Sequence, residues 1–579
     1  MKVLIANPAY HRQFDGGIER ILLGSGIRFP WSMLKHQGQR PRFAIFPMFL
    51  GYTAALLERA GHEVYALDAV PIDLHEQDFI DRVKSLEPDI VVFEPNSAVI
   101  DDVLRTATTV KTDTGATIVM AGTHVTAEFR PLLEQNNAID FIVRGEFEYG
   151  VLDLVQALSA GENSATLAGS LAGSLAGVVC RDADGKAPIE VDVARSVDDL
   201  NALPLPARHL FPAWFDNNLT AYHDGFYQAS PAFDVHATRG CPYSCNFCAW
   251  VHVLYQNGSQ RLRSPAAVVD EMETLVNHYG AREIYFDDDN FSANRKFVNA
   301  LCDELIARGK PVHWSALTDA IALNNGLLQR MAEAGCIGIK FGLDSADSEV
   351  LRNTQKPLKV ARVAGIVDTA KRLGIKTHMT VVLGLAGETQ ESLERTFQFA
   401  CDLDIDSVQI SIATPMPGTP LFDELKSTQQ LQFKRWDELD GYASSVIRYQ
   451  HFRREYIENF VASAHTRWLH SRLRRPRWVL RQMRYLWRLG ANAGFKGVVR
   501  RGKRFYRLLT GDSTAVLPST LTLQSEQGVT PWAGLSDDSS DHSVNHAVPT
   551  MASGSAVVPT MHHSTENKTP TGHTPTVRW

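Results

Sequence analysis

The chain has 579 residues, 44% hydrophobic and 21% charged, with 58 Lys+Arg against 65 Asp+Glu for a net charge of −7. That composition excludes a wholly disordered chain, a collagen-like chain and a small disulfide scaffold, and leaves room for two or three domains. The mild negative charge excludes a general polyanion binder, and four scattered cysteines (Cys180, Cys302, Cys336, Cys401) point to a reducing, cytoplasmic compartment.

Residues 1–160 alternate short β-rich runs with helical patterns. Strands are predicted at Lys2–Ala6, Glu63–Leu67, Ile90–Phe93, Thr117–Ala121 and Phe141–Val143, with helices at Tyr52–Ala60 and Asp101–Thr112. The N-terminal run turns polar too soon for a signal peptide. The apolar run Phe43–Leu57 contains Pro47 and Gly51 and falls short of the roughly 20 residues of a membrane span. Continuous apolar strands between helices predict an α/β, doubly wound, flavodoxin-like (Rossmann-type) sheet. Ligands of such sheets sit at the carboxyl ends of the strands, here Asn7-Pro8, Glu94-Pro95-Asn96-Ser97 and Gly122-Thr123-His124.

Residues 161–232 read as a connector. It holds a low-complexity Ala168–Gly177 repeat, a hairpin around Asp182–Gly185 and the Pro-rich Leu203–Ala207. A second β/α series fills 233–425, with strands at Phe233–Thr238, Glu283–Phe286, Val312–Ser315, Ile337–Phe341, Lys376–Leu383 and Ser407–Ile412. Helical patterns such as Pro265–Tyr279 and Lys296–Ala307 separate them. Six units suit a partial, TIM-like (βα)6 barrel, since eight need about 250 residues. Residues 426–511 are helical and basic: from 459 to 511 there are 14 Arg+Lys and no Asp or Glu. Arg477, Arg481, Arg484 and Arg488 form one stripe, with Val479, Leu480, Met483, Leu486 and Trp487 on another face. From 512 to 579 the chain is rich in Ser, Thr, Pro and His and is expected to be disordered.

The strongest chemical signal follows the first strand of the second series: Cys241-Pro-Tyr-Ser-Cys245-Asn-Phe-Cys248. Three such thiolates can each ligate one iron of a [4Fe–4S] cube and leave the fourth iron open to a chelating ligand. A structural zinc is the alternative. It would want a fourth protein ligand, for which His252 is the nearby choice.

This array resembles the radical SAM superfamily, in which the open iron holds S-adenosylmethionine and the reduced cluster cleaves it to a 5′-deoxyadenosyl radical. Four further motifs carry the resemblance. Asp287 and Asp288 lie in Phe286–Phe291, where the family contacts the methionine amino group. Asp344 and Ser345 lie in Phe341–Ser345, similar to the G-x-E-S ribose site with Asp in place of Glu. Gly384 opens Gly384-Leu-Ala-Gly-Glu-Thr389, and Thr414–Leu421 resembles the segment after the sixth strand. Together they cover about 233–425, each at a predicted strand end.

With the N-terminal domain added, the chain resembles the cobalamin-binding subclass. The echoes are Gly51-Tyr52, Ala60–Val64, Gly122–Thr126 and Arg144-Gly145-Glu146-Phe147-Glu148. Asn7, Asn96, Ser97, Gly122, Thr123 and His124 then become the residues expected at the cobalamin. His75, in a superficial D-x-H match, is set aside because it lacks the glycine and follows the wrong strand. A remnant domain that holds no corrin is the alternative. The resemblance implies methylation of an unactivated carbon. Cyclisation or oxidoreduction in tetrapyrrole or polycyclic-lipid synthesis is an alternative, and a non-catalytic metal-binding adaptor is another. It also implies an electron donor such as flavodoxin or ferredoxin and a small-molecule or lipid-linked substrate. The basic stretch 477–489 could lie on the inner face of a membrane or be a solvated helix face; nucleic acid is the weakest of the three readings.

Overall fold

A computed structural model describes residues 1–493 except 15–16, 26–31, 39–40, 42–43, 163–174, 183–195, 212–220, 225, 257–258 and 442–443. Most of the Ala168–Gly177 repeat, the hairpin expected around Asp182–Gly185 and the tail from 512 lie outside the described residues.

The chain opens with β1 (Lys2–Asn7), β2 (Ala9–Phe14), β3 (Ile18–Leu23), β4 (Ser32–His36), α1 (Met48–Arg59) and β5 (Glu63–Asp68). Next come α2 (Glu76–Leu86), β6 (Ile90–Phe93), α3 (Ile100–Thr114), β7 (Thr117–Ala121), α4 (Thr123–Ala127) and α5 (Phe129–Gln135). β8 (Phe141–Val143), α6 (Glu148–Ser159) and β9 (Val178–Val179) complete the first sheet, whose order is β5-β1-β6-β7-β8-β9. All its pairs are parallel except β8–β9. This is the flavodoxin-type order with one antiparallel edge. β6 reads Ile-Val-Val-Phe and is buried throughout because helices cover both faces. β9 lies within the stretch expected to be a connector, so the sheet extends past residue 160.

β2, β3 and β4 form a separate antiparallel sheet that was not predicted. Asp15-Gly16-Gly17 between β2 and β3 is the turn signal that could have announced it.

The second sheet, β10 (Ala232–Val235), β13 (Glu283–Phe286), β14 (His313–Thr318), β15 (Cys336–Asp344), β16 (Lys376–Leu383) and β17 (Ser407–Ile412), is parallel and in sequential order. That is the expected six-stranded open barrel. Its helices are α7 (Pro265–Tyr279), α8 (Arg295–Ala307), α9 (Asn325–Glu333), α10 (Ser348–Asn353), α11 (Val363–Arg372), α12 (Gln390–Asp402) and α13 (Pro420–Ser427). α7 shows why such segments are helical: Ser264 accepts from the Ala267 N–H, Pro265 sits in the first turn, and Gly280 ends the helix at φ +66°. Ile284, Trp314, Ile339, Met379 and Ile410 point outward into one apolar core with these helices. Phe226, from the segment before β10, packs among Tyr285 and His378 at the barrel interior.

One expected strand is shorter. Phe233–Thr238 stops at Val235, because the Asp288 carboxylate takes the Ala237 N–H at 2.8 Å; Thr238–Arg239 (β11) instead pairs antiparallel with Arg261–Leu262 (β12). α14 (Arg454–Leu473) and α15 (Pro476–Ala493) close the described chain. No helix among the described residues is long and apolar enough to cross a membrane.

Candidate functional site

Cys241, Cys245 and Cys248 lie on the loop after β10 and β11, at the carboxyl end of the barrel. Gly240 leads into that loop at φ +87°, where a Cβ would come 2.1 Å from the Ser259 carbonyl oxygen; only glycine fits. The Gly240 N–H donates to Asp289 at 2.7 Å. Asn246 fixes the loop further: its N–H donates to the Thr354 carbonyl, its side-chain amide to that of Asn353, and its own carbonyl accepts from Leu421. The loop is thus tied to the segments after β15 and β17 before any metal is considered.

The three sulfurs are half-buried and unlinked. Burial, foremost, pushes the Cys241 thiol up to about 11 and that of Cys245 to about 12, so an electrophilic metal is needed to hold them as thiolates. Three thiolates on one zinc would sit about 3.8 Å from each other. Here they do not come together within 4.8 Å as a set. His252 hydrogen-bonds through Nε2 to the Cys245 carbonyl at 3.1 Å, and it does not gather with the three sulfurs within that distance either. The donor set therefore fits a cube that spreads the sulfurs over three irons, not a single tetrahedral ion.

Around the loop stand groups from three successive strand ends. The Asn290 amide donates to Cys241 Sγ at 3.6 Å. Lys356, almost wholly buried, pairs with Asp344 at 2.5 Å, reaches Asp319 at 3.7 Å and donates to the Gly342 carbonyl at 2.9 Å. Asp344 has φ +60° at a bulge between β15 and β16, which turns its carboxylate toward Lys356. Sequence reasoning missed Lys356 and Asp319. Asp319 directly follows β14, a positional hint, whereas Lys356 has no motif around it.

The other expected S-adenosylmethionine residues divide. Asp287 lines the cleft described below. Asp288 is fully buried, and its oxygens accept from the Ala237 N–H and the Thr238 hydroxyl, so it shapes the strand end rather than facing the cleft. Ser345 is also fully buried, exchanging a hydrogen bond with Thr396 and accepting from the Asp347 N–H. Gly384, at φ +86°, lies under Tyr449, whose hydroxyl would be 2.3 Å from a Cβ.

A cleft runs between the strand ends of the two sheets. Gly24, Ser25, Glu94, Asn96 and Thr123 line it from one side, and His236, Trp250, Leu254 and Asp287 from the other. Trp250, two residues past the last cysteine, thus faces it, and Tyr255 packs with Arg261 over its ring at 5.3 Å. Of the residues expected at cobalamin, Asn96 and Thr123 reach this cleft. Asn7 is buried beside it, donating to Asp68 and accepting from the Ser25 N–H. Ser97 and His124 hydrogen-bond each other at 2.8 Å, and His124 packs edge-on against Trp436. Burial holds the His124 imidazole down at about 3, so it stays neutral. Gly122, at φ +100°, lets the Glu94 side chain pass where a Cβ would be 2.9 Å away.

Glu94 carries an oxygen that is shut from water and has no hydrogen-bond partner. Burial, and then the charge of Glu148, push its carboxyl up to about 8. An orphaned polar atom and backbone-lined strand ends are what an amide-rimmed macrocycle would satisfy, so the residues present fit a corrin in character.

His75 stacks on His11 at 4.1 Å near Glu19. The Lys35 ammonium lies 2.7 Å from Glu19 and 2.6 Å from Asp73, so this cluster is an ion-pair network.

The two sheets are joined by buried ions. Arg239, beside the cysteine loop, pairs with Glu146 at 3.1 Å and Glu148 at 2.6 Å, and lies over the rings of Phe49 and Tyr52. Arg261 adds a 2.5 Å contact to Glu146.

Comparison with known proteins adds the following. The radical SAM superfamily profile matches residues 235–400, and that of the B12 binding domain matches residues 41–155. An uncharacterized methyltransferase of Pyrococcus horikoshii is 29% identical over 421 residues, covering 72% of this chain and 86% of that protein. An anaerobic magnesium-protoporphyrin IX monomethyl ester cyclase of Cereibacter sphaeroides is 30% identical over 439 residues, covering 74% and 64%. The radical S-adenosylmethionine methyltransferase TsrM of Kitasatospora setae, solved with cobalamin and a [4Fe-4S] cluster, is 19% identical. It superposes with a TM-score of 0.54 over 74% of this chain and 75% of that one.

Proposed function

Because residues 235–400 match the radical SAM superfamily profile and residues 41–155 that of the B12 binding domain, we propose that the chain is a cobalamin-type radical SAM enzyme that methylates an unactivated carbon of a small-molecule substrate. The observation that carries this reading is the shared cleft, lined by the strand ends of both sheets. When bound, the [4Fe–4S] cluster with S-adenosylmethionine supplies a hydrogen-abstracting radical, and cobalamin supplies a methyl group.

Cys241, Cys245 and Cys248 hold the cluster in this proposal. Lys356, Asp344, Asp319 and Asn290 offer paired charges and an amide beside the open corner, suited to the amino and carboxylate ends of an amino acid. Asn96 and Thr123, which line the cleft, would hold a corrin, with Asn7, Ser97, Gly122 and His124 shaping the wall behind. Asp287 and Trp250 border the substrate space, and Phe46, Phe49 and Leu254 keep it dry. The Arg239 ion cluster keeps the two walls at a fixed separation, which alignment of three reactants requires. The domain limits are proposed as 1–160, a connector 161–232 that contributes β9 to the first sheet, 233–425 and 426–511, with 512–579 as a tail. The electron comes from a low-potential donor such as flavodoxin or ferredoxin.

Anaerobic reconstitution tests the reading. The expected result is about four irons per chain, release of 5′-deoxyadenosine on reduction, and transfer of labelled methyl from S-adenosylmethionine to a product. A Cys245→Ala variant with unchanged iron content and turnover would overturn it. Cyclisation is the second reading, favoured by the likeness to the Cereibacter sphaeroides cyclase. Product formed without label supports it instead.

A further inference from the structure

The last described helix carries a face that the barrel does not use. On its inner side the Trp478 indole donates to the Ile405 carbonyl at 3.1 Å, and Arg481 pairs with Asp404 and Asp406, each at 2.6 Å. Positions 478, 481 and 482 follow the helical repeat, and Gln482 also reaches Asp406. Arg472, at the end of α14, and Arg475, between α14 and α15, donate to the last carbonyls of α12, and Arg472 also to that of Leu403 just after it, holding the pair of helices against the barrel. The rotation of α15 is therefore fixed.

Half a turn round lie Leu480 and Met483, 58% and 60% exposed. Among the described residues, five large hydrophobic side chains are exposed; these two are the most exposed and stand one helical turn apart. Arg477 and Arg484 are exposed beside them. The sequence repeats the pattern in the next turn with Trp487 and Arg488, and carries no acidic residue from 459 to 511. The whole chain is nonetheless negative, at −7.

Aliphatic side chains standing in water, rimmed by arginines, match the layered chemistry of a lipid headgroup region: phosphates outside, acyl chain within. A nucleic-acid surface would pair the cations with polar and stacking groups instead. We propose that α15 docks this protein, through Leu480, Met483, Arg477 and Arg484, on the surface of a bilayer containing anionic lipid.

The test is co-sedimentation of the full chain with phosphatidylcholine vesicles, with or without phosphatidylglycerol. The expected result is binding to the anionic vesicles only, weakened by concentrated salt. Leu480→Ser with Met483→Ser should weaken it at least about tenfold, and Arg477→Gln with Arg484→Gln should flatten the salt dependence. Leu205→Ser, at an exposed leucine elsewhere, should bind like the parent. Equal binding to neutral vesicles, no binding to either, or full binding by the Leu480/Met483 variant would each overturn the proposal. So would displacement by single-stranded RNA of a protein whose binding the Leu480/Met483 change leaves intact.

Discussion

Gly240 shows how a single residue can decide whether the cysteine loop exists. Alanine there meets a backbone oxygen and an unfavourable left-handed conformation at once. Gly240→Ala should destabilise the fold by on the order of 3 kcal/mol. Iron retained after reconstitution should fall with it, as measured by denaturation and iron content; a variant with parental values for both would contradict the account. Glu94 bears on pH. Its folded pKa of about 8 lies above its ordinary value, so the folded state binds the extra proton. The stability this contributes is full below about 4.5 and is lost as pH rises through about 8. Glu94→Gln should match the parent in acid and exceed it in alkali, by no more than about 5 kcal/mol. Melting curves at two pH values check this. At this scale the sequence was legible where chemistry is local, as in the cysteine spacing. It was opaque for Lys356, whose role depends on Asp344 and Asp319 arriving from other strands. Asp288 was misplaced because neighbouring acids on one loop face opposite ways.

Strands and helices were legible wherever apolar periodicity was strong. Ile90–Phe93, Glu283–Phe286 and Ser407–Ile412 form where the pattern puts them, since burial on both faces leaves no other reading. The antiparallel β2–β4 sheet was not, because its strands mix charge with apolar residues and the charges are paired only in three dimensions, as Glu19 is with Lys35. The arginine stripe of α15 was read as one face, yet Arg481 is committed to Asp404 and Asp406 while Arg477 and Arg484 are not. The Arg144–Glu148 motif joins elements: its two glutamates take Arg239. Arg239→Met should cost about 3–5 kcal/mol, because it strands the buried Glu148 carboxylate and leaves Glu146 with Arg261 as its remaining arginine partner. Adding Glu146→Gln and Glu148→Gln should recover part of that loss. Denaturation of the single and triple variants checks it, and additive losses would argue against a coupled cluster.

On the scale of the whole molecule, residues just past strands of both sheets line one cleft, and the fold class follows from sequence because each half is a regular β/α series. How the halves meet did not follow from it, since the ion cluster joins residues far apart in the chain. A last consequence comes from where α15 is fastened. Asp404, Ile405 and Asp406 immediately precede β17, so they mark the amino end of the barrel, whereas the cysteines stand at the other. Any surface gripped by α15 is therefore behind the protein as seen from its reaction chamber. On the docking proposed above, the helix would serve as a mooring at the end of the barrel opposite the cysteines, instead of a doorway to them.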